Sequence, residues 1–591
     1  MTRDELLARL KGYEWTDFEC KKAQRGVPND AYETVSAFAN TEGGWLLFGV
    51  SEDKGILQIN GVDPEAFDQV QNNFLSTLRA GDKLNHVITV DPHVYDLDGK
   101  RILAFYVPES PRHQKPVYLK GNPRDSFIRR AAGDERVTDT ELQRFLRDAA
   151  TRAWDTEPLP EFDVQRCLDT ETVKWYQSHF YRRNPEQRLI EDPIEFLQEW
   201  NFIVEPAGQP LLTRAAVLLF GVDRCVRQLL PRPVLDYQRI DTNFDAWSAV
   251  ERCHDRLVFE ENLFKTWRGL VAKYMRIADH PFSIDPTTLR RNDDPPDYIA
   301  FREAAINLLI HQDYGDLNRK AALKIFTDRT QLWNPGDAFA NRDQLLQSTE
   351  KEVRNPLLVN AFRRIGLSDQ AGTGIRAIFR NWHELGRMPP QINNDKAGKS
   401  FELLLLNKPL VTDAMRRFQT NLGVKLSPEQ ADVLALAAQQ SHFSLIEASA
   451  LTDGNLRRVH EAVKYLVHQQ LLQTLAKDAT FALTEMVKIR LEAPTQPLST
   501  EQVTEQVTEQ VTEQVTEQVR RLMAALSGKE LGTRELMESL QLSHRPTFLY
   551  DYLQPALSGR LIEMTQPESP RSPTQKYRLT AQGRNFLERM A

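Results

Sequence analysis

A perfect four-residue repeat lies between two C-terminal segments of ordinary composition, and its period limits the structures that it can form. From Glu501 to Val519 the sequence reads EQVT four times and then ends in EQV. A period of four matches neither the 3.5 residues of a coiled coil nor the 3.6 residues per turn of an α-helix. If the segment is helical, each successive valine is displaced by about 40° around the helix axis. Helices that pack along such a valine stripe would form a right-handed supercoil. Residues 498–519 are therefore predicted to be either a helical oligomerisation segment or a solvated spacer.

The length of the chain requires several hydrophobic cores. Its 591 residues exceed one domain, and domain-size statistics predict about three to five. We expect a multidomain chain of α/β and α+β type. The predicted units are an α/β domain at 1–150, an α/β connecting domain at 151–290, an α/β domain at 291–410, and two small C-terminal modules at 425–488 and 520–591.

Apolar patterns predict the main elements of the first 410 residues. The predicted strands are 16–21, 45–50, 87–90, 102–107, 215–220, 234–240, 323–326, 331–333 and 401–406. The predicted helices are a first one carrying Leu6, Leu7 and Leu10, then 30–40, 259–274 and 298–310.

The two C-terminal segments share one pattern of elements. Residues 425–487 and 520–591 each read as short helices followed by a β-hairpin, whose strands in the second segment are 562–564 and 576–579. This order is typical of a winged helix, which binds DNA in many proteins and other proteins in some. Residues 520–591 hold 11 Lys/Arg against 7 Asp/Glu. Arg545, Arg571 and Lys576 are the predicted DNA contacts of this module.

A polar pair inside an apolar helix is the first candidate site. Glu303 and Asn307 lie four residues apart on one helix face, and His311 follows at the same spacing. Burying a carboxylate and an amide among Ala, Ile and Leu costs free energy unless they serve a partner. Their oxygens suit Mg²⁺, which keeps waters and substrate phosphates in its shell. The alternative is a pair bonded within the protein at a helix end.

Three further motifs follow this pair in order. They are Asn334-Pro335-Gly336, Arg354-Asn355-Pro356 and Gly372-Thr373-Gly374-Ile375. The last leads into a predicted helix, and a glycine-rich helix N-terminus offers backbone N–H groups to phosphates. No G-x-x-x-x-G-K-[ST] sequence occurs, so the chain is not a P-loop ATPase.

Residues 295–405 resemble the divergent nucleotide-binding domain of the GHKL superfamily, in the version found in bacterial RecG-related proteins and transcriptional regulators. The resemblance implies an α/β sandwich that binds ATP with Mg²⁺. It implies that Asn307 holds Mg²⁺ and that Glu303 is the general base in members that hydrolyse ATP. Asn334 stands where the superfamily usually has an adenine-reading Asp, although Asp337 is nearby, so adenine specificity and hydrolysis are both left open. The predicted ATP-binding residues are Asn307, His311, Asn334, Gly336, Asp337, Gly372, Thr373 and Gly374.

The N-terminal stretch carries a second set of motifs. It reads EWTDFECK from Glu14, then NTEGG from Asn40, then a buried strand. This pattern resembles the Schlafen/AlbA-2 domain, which implies nucleic-acid binding. In RNA-cutting relatives three carboxylates form a metal-dependent site; Glu14 and Glu19 match the first two, and Asp53 (or Glu52) matches the third. The alternative is that Glu19 pairs with Lys21 and that Asp53 is a turn residue.

A local basic stretch follows in the same domain. Between Arg112 and Arg136 seven Lys/Arg face three Asp/Glu. Because phosphate contacts supply most nonspecific affinity, this stretch is predicted to clamp a nucleic-acid backbone, with a solvated loop as the alternative. The predicted nucleic-acid contacts of this domain are Lys21, Lys115, Lys120, Arg124, Arg129 and Arg130.

Bulk composition restricts the compartment. The net charge is −7, so any nucleic-acid site has to be a local patch. The four cysteines are scattered without a CxxC pair, which favours a reducing compartment and no cysteine zinc site. Charges within the first apolar stretch argue against a signal peptide. We therefore expect a cytoplasmic protein.

These patterns together predict an oligomeric protein that binds ATP, Mg²⁺ and DNA (or RNA) and regulates transcription. The alternative hypothesis is a nucleotide-gated, metal-dependent nuclease of the Schlafen type that acts in phage defence. A third is a degenerate nucleotide-binding scaffold that only assembles.

Overall fold

The computed structural model describes the chain in two compact units, Met1–Leu491 and Glu492–Ala591. Within them it describes every residue except 2, 12–15, 54–55, 82, 249–252, 278–294, 348–350, 369–373, 421–424, 452–454, 476–479, 493–516, 541, 543–547, 559–560, 566–574, 581–582, 585–586 and 588–591. Among the described helices, none combines the length and the apolar character that crossing a bilayer needs.

The N-terminal part of the first unit is built on a four-stranded sheet. Its helices are α1 (Arg3–Lys11), α2 (Asp30–Asn40), α3 (Phe67–Ala80) and α4 (Asp139–Ala149). Its strands are β1 (Phe18–Lys21), β2 (Gly44–Phe48), β3 (Val50–Asp53), β4 (Ile56–Ile59), β5 (Pro92–Leu97), β6 (Lys100–Val107), β7 (Phe127–Arg130) and β8 (Gly133–Arg136). The sheet order is β1-β2-β6-β5, with β1 parallel to β2 and the other neighbours antiparallel. Helices α2 and α3 cover one face, and α1 contributes to a smaller core on the other.

Most predicted elements of this part are confirmed, but the strand predicted at 87–90 is wrong. These residues form no ladder, and the edge strand is β5 instead. Ile88 and Val90 are buried in the core that α2 and α3 cover. Their alternation with exposed Val87 imitates a half-buried strand, because a loop that packs on a core shows the same period of two.

Asn40 ties the end of α2 to two other segments. Its fully buried side chain donates from Nδ2 to the carbonyls of Val117 (2.8 Å) and Phe127 (2.9 Å) and accepts at Oδ1 from the Val117 N–H (2.7 Å). Gly43 follows at φ +79°, where a Cβ would lie 2.7 Å from the Val107 carbonyl oxygen. The Asn and the first Gly of the NTEGG motif therefore have structural roles.

A six-stranded sheet forms the centre of the first unit. Its strands are β12 (Leu235–Arg239), β13 (Asp255–Phe259), β14 (Ala321–Ile325), β15 (Arg329–Pro335), β16 (Gln391–Asp395) and β17 (Ser400–Leu406), in the order β13-β12-β14-β15-β17-β16. A small sheet, β10-β11-β9, joins β9 (Pro158–Leu159), β10 (Ile203–Val204) and β11 (Leu211–Thr213). One hydrophobic core runs from Leu159 to Leu405. Residues predicted as separate units at 151–290 and 291–410 thus share a sheet and a core.

Ten helices of the described chain surround these two sheets. They are α5 (Val164–Cys167), α6 (Thr170–Arg183), α7 (Pro193–Glu199), α8 (Arg214–Phe220), α9 (Asp223–Leu229), α10 (Leu263–Ile277), α11 (Pro296–Ile310), α12 (Arg342–Leu346), α13 (Pro356–Arg364) and α14 (Gly374–Glu384).

Helix α8 corrects the strand predicted at 215–220. The Thr213 hydroxyl caps it by accepting from the Ala216 N–H at 3.2 Å, and the side chains of Ala215 to Phe220 are all buried. A helix enclosed by core on every side is apolar all round. Such a run therefore has no helical period and cannot be told from a buried strand by its sequence.

Two cysteines pair across the core of this central part. Cys167 and Cys225, separated by 58 residues, form a disulfide, while Cys20 and Cys253 are free. The sequence favoured a reducing compartment and no cysteine zinc site, and it did not predict this pair. Distant cysteines on two helices carry no spacing signal, so only the fold shows their proximity.

The last part of the first unit and the second unit share an order of elements: helix, short strand, two helices and a hairpin, where the second of the two helices in the second unit is a π-helix continued directly by an α-helix. The former contains α15 (Asp413–Thr420), α16 (Pro428–Gln439), β18 (Phe443–Ser444), α17 (Leu445–Leu451), α18 (Leu456–His468), β19 (Leu472–Thr474), β20 (Thr480–Leu483) and α19 (Glu485–Glu492). The latter contains α20 (Glu517–Ala525), β21 (Leu531–Gly532), α21 (Thr533–Ser539), a π-helix (Phe548–Leu553), α22 (Gln554–Ser558), β22 (Ile562–Met564) and β23 (Lys576–Leu579). The predicted strands 562–564 and 576–579 are confirmed.

Replacing Asn40 with Ala tests its structural role. We expect the free energy of unfolding to fall by about 2–4 kcal/mol, because the Val117 N–H and the Phe127 carbonyl lose their Asn40 partner, while the Val117 carbonyl keeps the Ser36 hydroxyl as a donor. Urea unfolding of the full chain measures the change. Asn72→Ala, at an exposed position of α3, is the control and is expected to stay within about 0.5 kcal/mol of wild type. Equal destabilisation by the two variants would contradict the assignment.

Candidate nucleotide site

A cavity of about 370 Å³ lies beside helix α11. Residues that the sequence assigns to nucleotide binding line it: Glu303, Asn307, His311, Asn334, Gly336, Asp337 and Gly374. Its other walls are apolar residues, among them Leu332, Phe401 and Leu403, and the basic residues Lys351, Arg354 and Arg363. An apolar hollow of roughly 300–1,000 Å³ with a few converging polar groups is typical of a small-molecule site.

Glu303 and Asn307 meet the start of helix α14 in this cavity. Both belong to α11, most of which is buried, and Glu303 itself is buried. A Cβ on Gly374 would lie 3.4 Å from Glu303 Oε2 and 3.5 Å from Asn307 Nδ2. The Glu303 carboxylate and the Asn307 amide thus lie close to the first residue of α14. That arrangement offers oxygen ligands for a hard cation beside backbone N–H groups for an anion.

His311 follows the end of α11 on the cavity side. Burial, together with the charges of Arg354 and Lys351, lowers the pKa of His311 to about 4. The imidazole is therefore neutral near pH 7, and it can both donate and accept a hydrogen bond.

The Asn-Pro-Gly motif forms a tight loop at the end of β15. The buried Asn334 amide donates from Nδ2 to the carbonyls of Pro335 (3.1 Å) and Gly336 (3.3 Å). Gly336 adopts φ +96°, and a Cβ there would lie 2.9 Å from Arg354 Nε and 3.0 Å from the Asp313 nitrogen. Only glycine fits this approach, so the motif sets how closely the loop packs against its neighbours.

Arg354 is a buried cation in the cavity wall. Its guanidinium bonds Asp148 and lies 3.2 Å from Asp337, while Lys399 Nζ lies 3.4 Å from each of these carboxylates. Burial lowers the pKa of Arg354, but Asp148, Asp313 and Asp337 outweigh that effect and hold the pKa above its usual value. The carboxylate of Asp337, predicted to contact the nucleotide, is thus engaged in ion pairs.

Asn355 links the Arg-Asn-Pro motif to helix α11. Its Nδ2 donates to the carbonyls of Ile310 (3.0 Å) and Gln312 (2.8 Å) at the helix end. Pro356 is the first residue of α13, where a missing N–H costs nothing. The motif therefore joins two helices that line the cavity, a role that the sequence did not show.

Asp155 is a site-supporting residue that sequence reasoning missed. Its fully buried Oδ2 accepts from the N–H groups of Leu357 (2.8 Å) and Leu358 (3.1 Å) in the first turn of α13. Burial raises the pKa of Asp155 to about 7, although those two N–H groups act in the opposite direction. A single Asp some 200 residues away from the helix that it caps has no sequence signal.

Several predicted site residues lie outside the described part of the chain. They are Glu14, Gly372, Thr373, Arg545, Arg571 and the side chain of Asp53. Most of the segment 498–519 is also outside it. Their roles stay predictions.

Glu19 is engaged by two cations. Its carboxylate lies 3.0 Å from Lys21 Nζ and 2.9 Å from Arg129 Nη1, and Arg129 also bonds Asp134 at 2.8 Å. The alternative pairing of Glu19 with Lys21 is therefore confirmed. Within the described residues, no group of three or more His, Cys, Asp or Glu side chains could hold a metal ion. The nuclease role of Glu14, Glu19 and Asp53 stays a prediction.

Ion pairs engage most of the predicted basic stretch. Six of its seven cations bond a carboxylate, in the pairs Arg112–Glu352, Lys115–Glu109, Arg124–Asp139, Arg129–Glu19, Arg130–Glu141 and Arg136–Asp125. The side chains of Lys115 and Arg129 are only 6% and 4% exposed. Both cations are thus buried in ion pairs, and their contact with nucleic acid stays a prediction. Lys120 is exposed.

Four protein families match separate parts of the chain. Residues 14–138 match "Schlafen, AlbA_2", and residues 318–405 match "Putative ATP-dependent DNA helicase recG C-terminal". Residues 143–236 match a domain of unknown function (DUF8451), and residues 517–580 match "Filamentation induced by cAMP protein Fic-like, C-terminal domain". The class is thus a mixed α/β multidomain protein. In particular, the chain contains a Schlafen AlbA_2 domain and an ATPase-like domain of the recG C-terminal family.

Solved structures resemble the chain only loosely. The DIP2311 protein from Corynebacterium diphtheriae is 17% identical over 98% of this chain and 99% of its own, with a TM-score of 0.37. The N-terminal domain of a "Putative ATP-dependent DNA Helicase RecG-related Protein" from Nitrosomonas europaea is 32% identical over 23% and 92%, with a TM-score of 0.18. A Fic family protein from Desulfovibrio desulfuricans G20 is 23% identical over 38% and 67%, with a TM-score of 0.11. No curated protein matches the chain.

Replacing Asp155 with Asn tests the buried acid. The folded pKa of about 7 lies above the unfolded value, which is about 3.9. Protonation of Asp155 therefore stabilises the fold at low pH, and this contribution is lost as the pH rises to about 7. The melting temperature of Asp155→Asn relative to wild type is expected to rise between pH 5 and 7 and then to level off.

Asp163 provides the control for this measurement. It also caps a helix, since its Oδ1 accepts from the Arg166 N–H at 2.8 Å, but it is exposed. The difference in melting temperature between Asp163→Asn and wild type should not rise between pH 5 and 7. Circular dichroism melts measure these differences. If the melting temperature of Asp155→Asn differs from that of wild type by the same amount at every pH, Asp155 is not the titrating group.

Proposed function

We propose that this chain binds ATP with Mg²⁺ in the cavity beside α11 and binds nucleic acid through its Schlafen AlbA_2 domain. One observation carries the proposal. Motif residues spread from position 303 to position 374 line a single cavity, within and beside the region that matches the recG C-terminal family. A chance set of polar residues has no reason to converge in this way.

The residues present fit a nucleotide with its metal ion. Asn307 would hold Mg²⁺ through its side-chain oxygen, and the N-terminus of α14 at Gly374 would face the phosphates. Bound Mg²⁺ would neutralise phosphate charge. Glu303 would accept the proton of an attacking water if ATP is hydrolysed. Lys351 and Arg363 add positive charge to the lining.

The nucleic-acid half of the proposal rests on the Schlafen AlbA_2 domain and on the two C-terminal modules. The element order of helix, strand, two helices and hairpin in residues 428–483 and 517–579 is typical of a winged helix. Lys576 lies exposed on the hairpin of the second. We propose DNA as the ligand and transcriptional regulation as the role, with association of copies through residues 498–519.

Substitutions in α11 test the ATP site. ATP with Mg²⁺ at 100 times its Kd stabilises a protein by roughly 2.7 kcal/mol, which is readily seen as a rise in melting temperature. Asn307→Ala is expected to abolish that rise, whereas Glu303→Gln keeps it and stops any ATP turnover. Asn318→Ala, at an exposed position, is the matched control and should behave as wild type. If ATP–Mg²⁺ does not change the melting temperature of the wild-type chain, the proposed site is refuted.

Lys120 tests the nucleic-acid surface. Lys120→Gln is expected to weaken binding of duplex DNA severalfold and to reduce the slope of log affinity against log salt by about one, as for one lost phosphate contact. Fluorescence anisotropy with DNA and RNA oligonucleotides of equal length measures both quantities. Lys408→Gln, at an exposed lysine outside the Schlafen AlbA_2 domain, is the control. Unchanged affinity and slope would remove Lys120 from the interface.

A further inference from the structure

We propose that a layer of buried charges makes the Schlafen AlbA_2 domain and the adjoining helix α4 respond to occupancy of the cavity. The ionic layer is defined as Asp148, Asp313, Asp337, Arg354 and Lys399. Each of these side chains is at most 9% exposed. The inference rests on the proposed function of the cavity as an ATP site and specifies how that site is regulated.

Helix α4 contacts the ionic layer with its C-terminal half. Asp148 at its end bonds the guanidinium of Arg354, which also lines the cavity. Next to it, Arg147 bonds Asp313 at 2.5 Å, and one turn earlier Arg144 bonds Asp316 at 3.0 Å. Arg144 and Arg147 are therefore paired with the segment that follows α11, and Asp148 is paired with Arg354.

The Asn-Pro-Gly loop lies on the same layer. The Asp313 N–H donates to the Pro335 carbonyl at 2.6 Å, and the Gly336 N–H donates to the Lys399 carbonyl at 2.8 Å. Asp337, the next residue of the loop, pairs with Arg354. This loop thus lines the cavity, and its backbone is hydrogen-bonded to Asp313 and Lys399. Both of these residues also pair with side chains of α4.

Arg112 provides a second connection from the Schlafen AlbA_2 domain. Its guanidinium lies 2.5 Å from Glu352 and 5.1 Å from the ring centre of Phe339, and both of these residues line the cavity. Arg354 lies over the same Phe339 ring at 4.5 Å. Arg112 also donates to the carbonyl of Ala150, next to the end of α4.

A ligand anion in the cavity would act on both connections. Charges shielded from water interact strongly, so an anion beside Arg354 would compete with Asp148 and Asp337 for the same cation. The position of α4 would then depend on whether the cavity is filled. By linkage, a nucleic acid that favours one position of the domain would change nucleotide affinity by the same factor.

Hydrogen exchange of the full chain tests this inference without any nucleic acid. Saturating ATP–Mg²⁺ is expected to slow amide exchange in residues 139–149, none of which lines the cavity, by about fivefold in wild type. In Asp148→Asn, saturated with the same nucleotide, the slowing is expected to disappear while calorimetry still detects ATP binding. Asp139→Asn is the matched control, because it changes the same charge on the exposed start of α4 and should keep the wild-type response.

The possible results separate the two proposals. ATP binding without any change in exchange at residues 139–149 overturns the inference and leaves the proposed function standing. Equal slowing in Asp148→Asn and Asp139→Asn overturns the ionic layer as the connection. Absence of ATP binding to wild type overturns the proposed function and the inference together. If Asp148→Asn does not fold, Arg147→Gln, at a more exposed position, is expected to reduce the slowing, and a full wild-type response would again overturn the inference.

Discussion

The ion pairing of the buried Arg354 guanidinium is the interaction on which the rest of the site depends. The guanidinium is shared between Asp148 at the end of α4 and Asp337 in the loop after β15. Removing one partner of a buried ion pair leaves an uncompensated charge and typically costs about 3–5 kcal/mol. The Arg-Asn-Pro motif that carries this guanidinium also bonds the end of α11 through Asn355. The position of the cavity wall is therefore set by paired charge as well as by apolar packing.

Helix α11 supplies the polar groups of the site from within the main hydrophobic core. Ala300, Ala304, Ile306 and Leu309 of this helix are buried in that core, while Glu303 and Asn307 face the cavity. The same cavity lies at the start of α14, whose Phe379 packs into the core of the module at 433–487. A ligand at Gly374 would thus touch a helix that joins the ATPase-like domain to a C-terminal module.

Much of this arrangement could be predicted because the informative residues differ in type from the residues around them. Glu303 and Asn307 are conspicuous as polar residues in an apolar helix, and Gly336 and Gly374 are conspicuous beside strand and helix boundaries. The predictions failed where a local pattern was ambiguous. The apolar run at 215–220 is a helix enclosed by core, and the segment at 87–90 is a packed loop. At 215–220 burial on every side removed the helical period, whereas at 87–90 a loop packed on the core produced a false period of two.

The sequence by itself determined which residue types are available for chemistry, their order along the chain, and the families that its domains match. Only the tertiary structure decided which charges are free. Counting lysines and arginines between positions 112 and 136 predicts a basic surface, yet Arg112 pairs with Glu352, 240 residues away, and Arg129 pairs with Glu19. The physical reason is that electrostatic pairing depends on distance in space and on burial, whereas the sequence shows only separation along the chain.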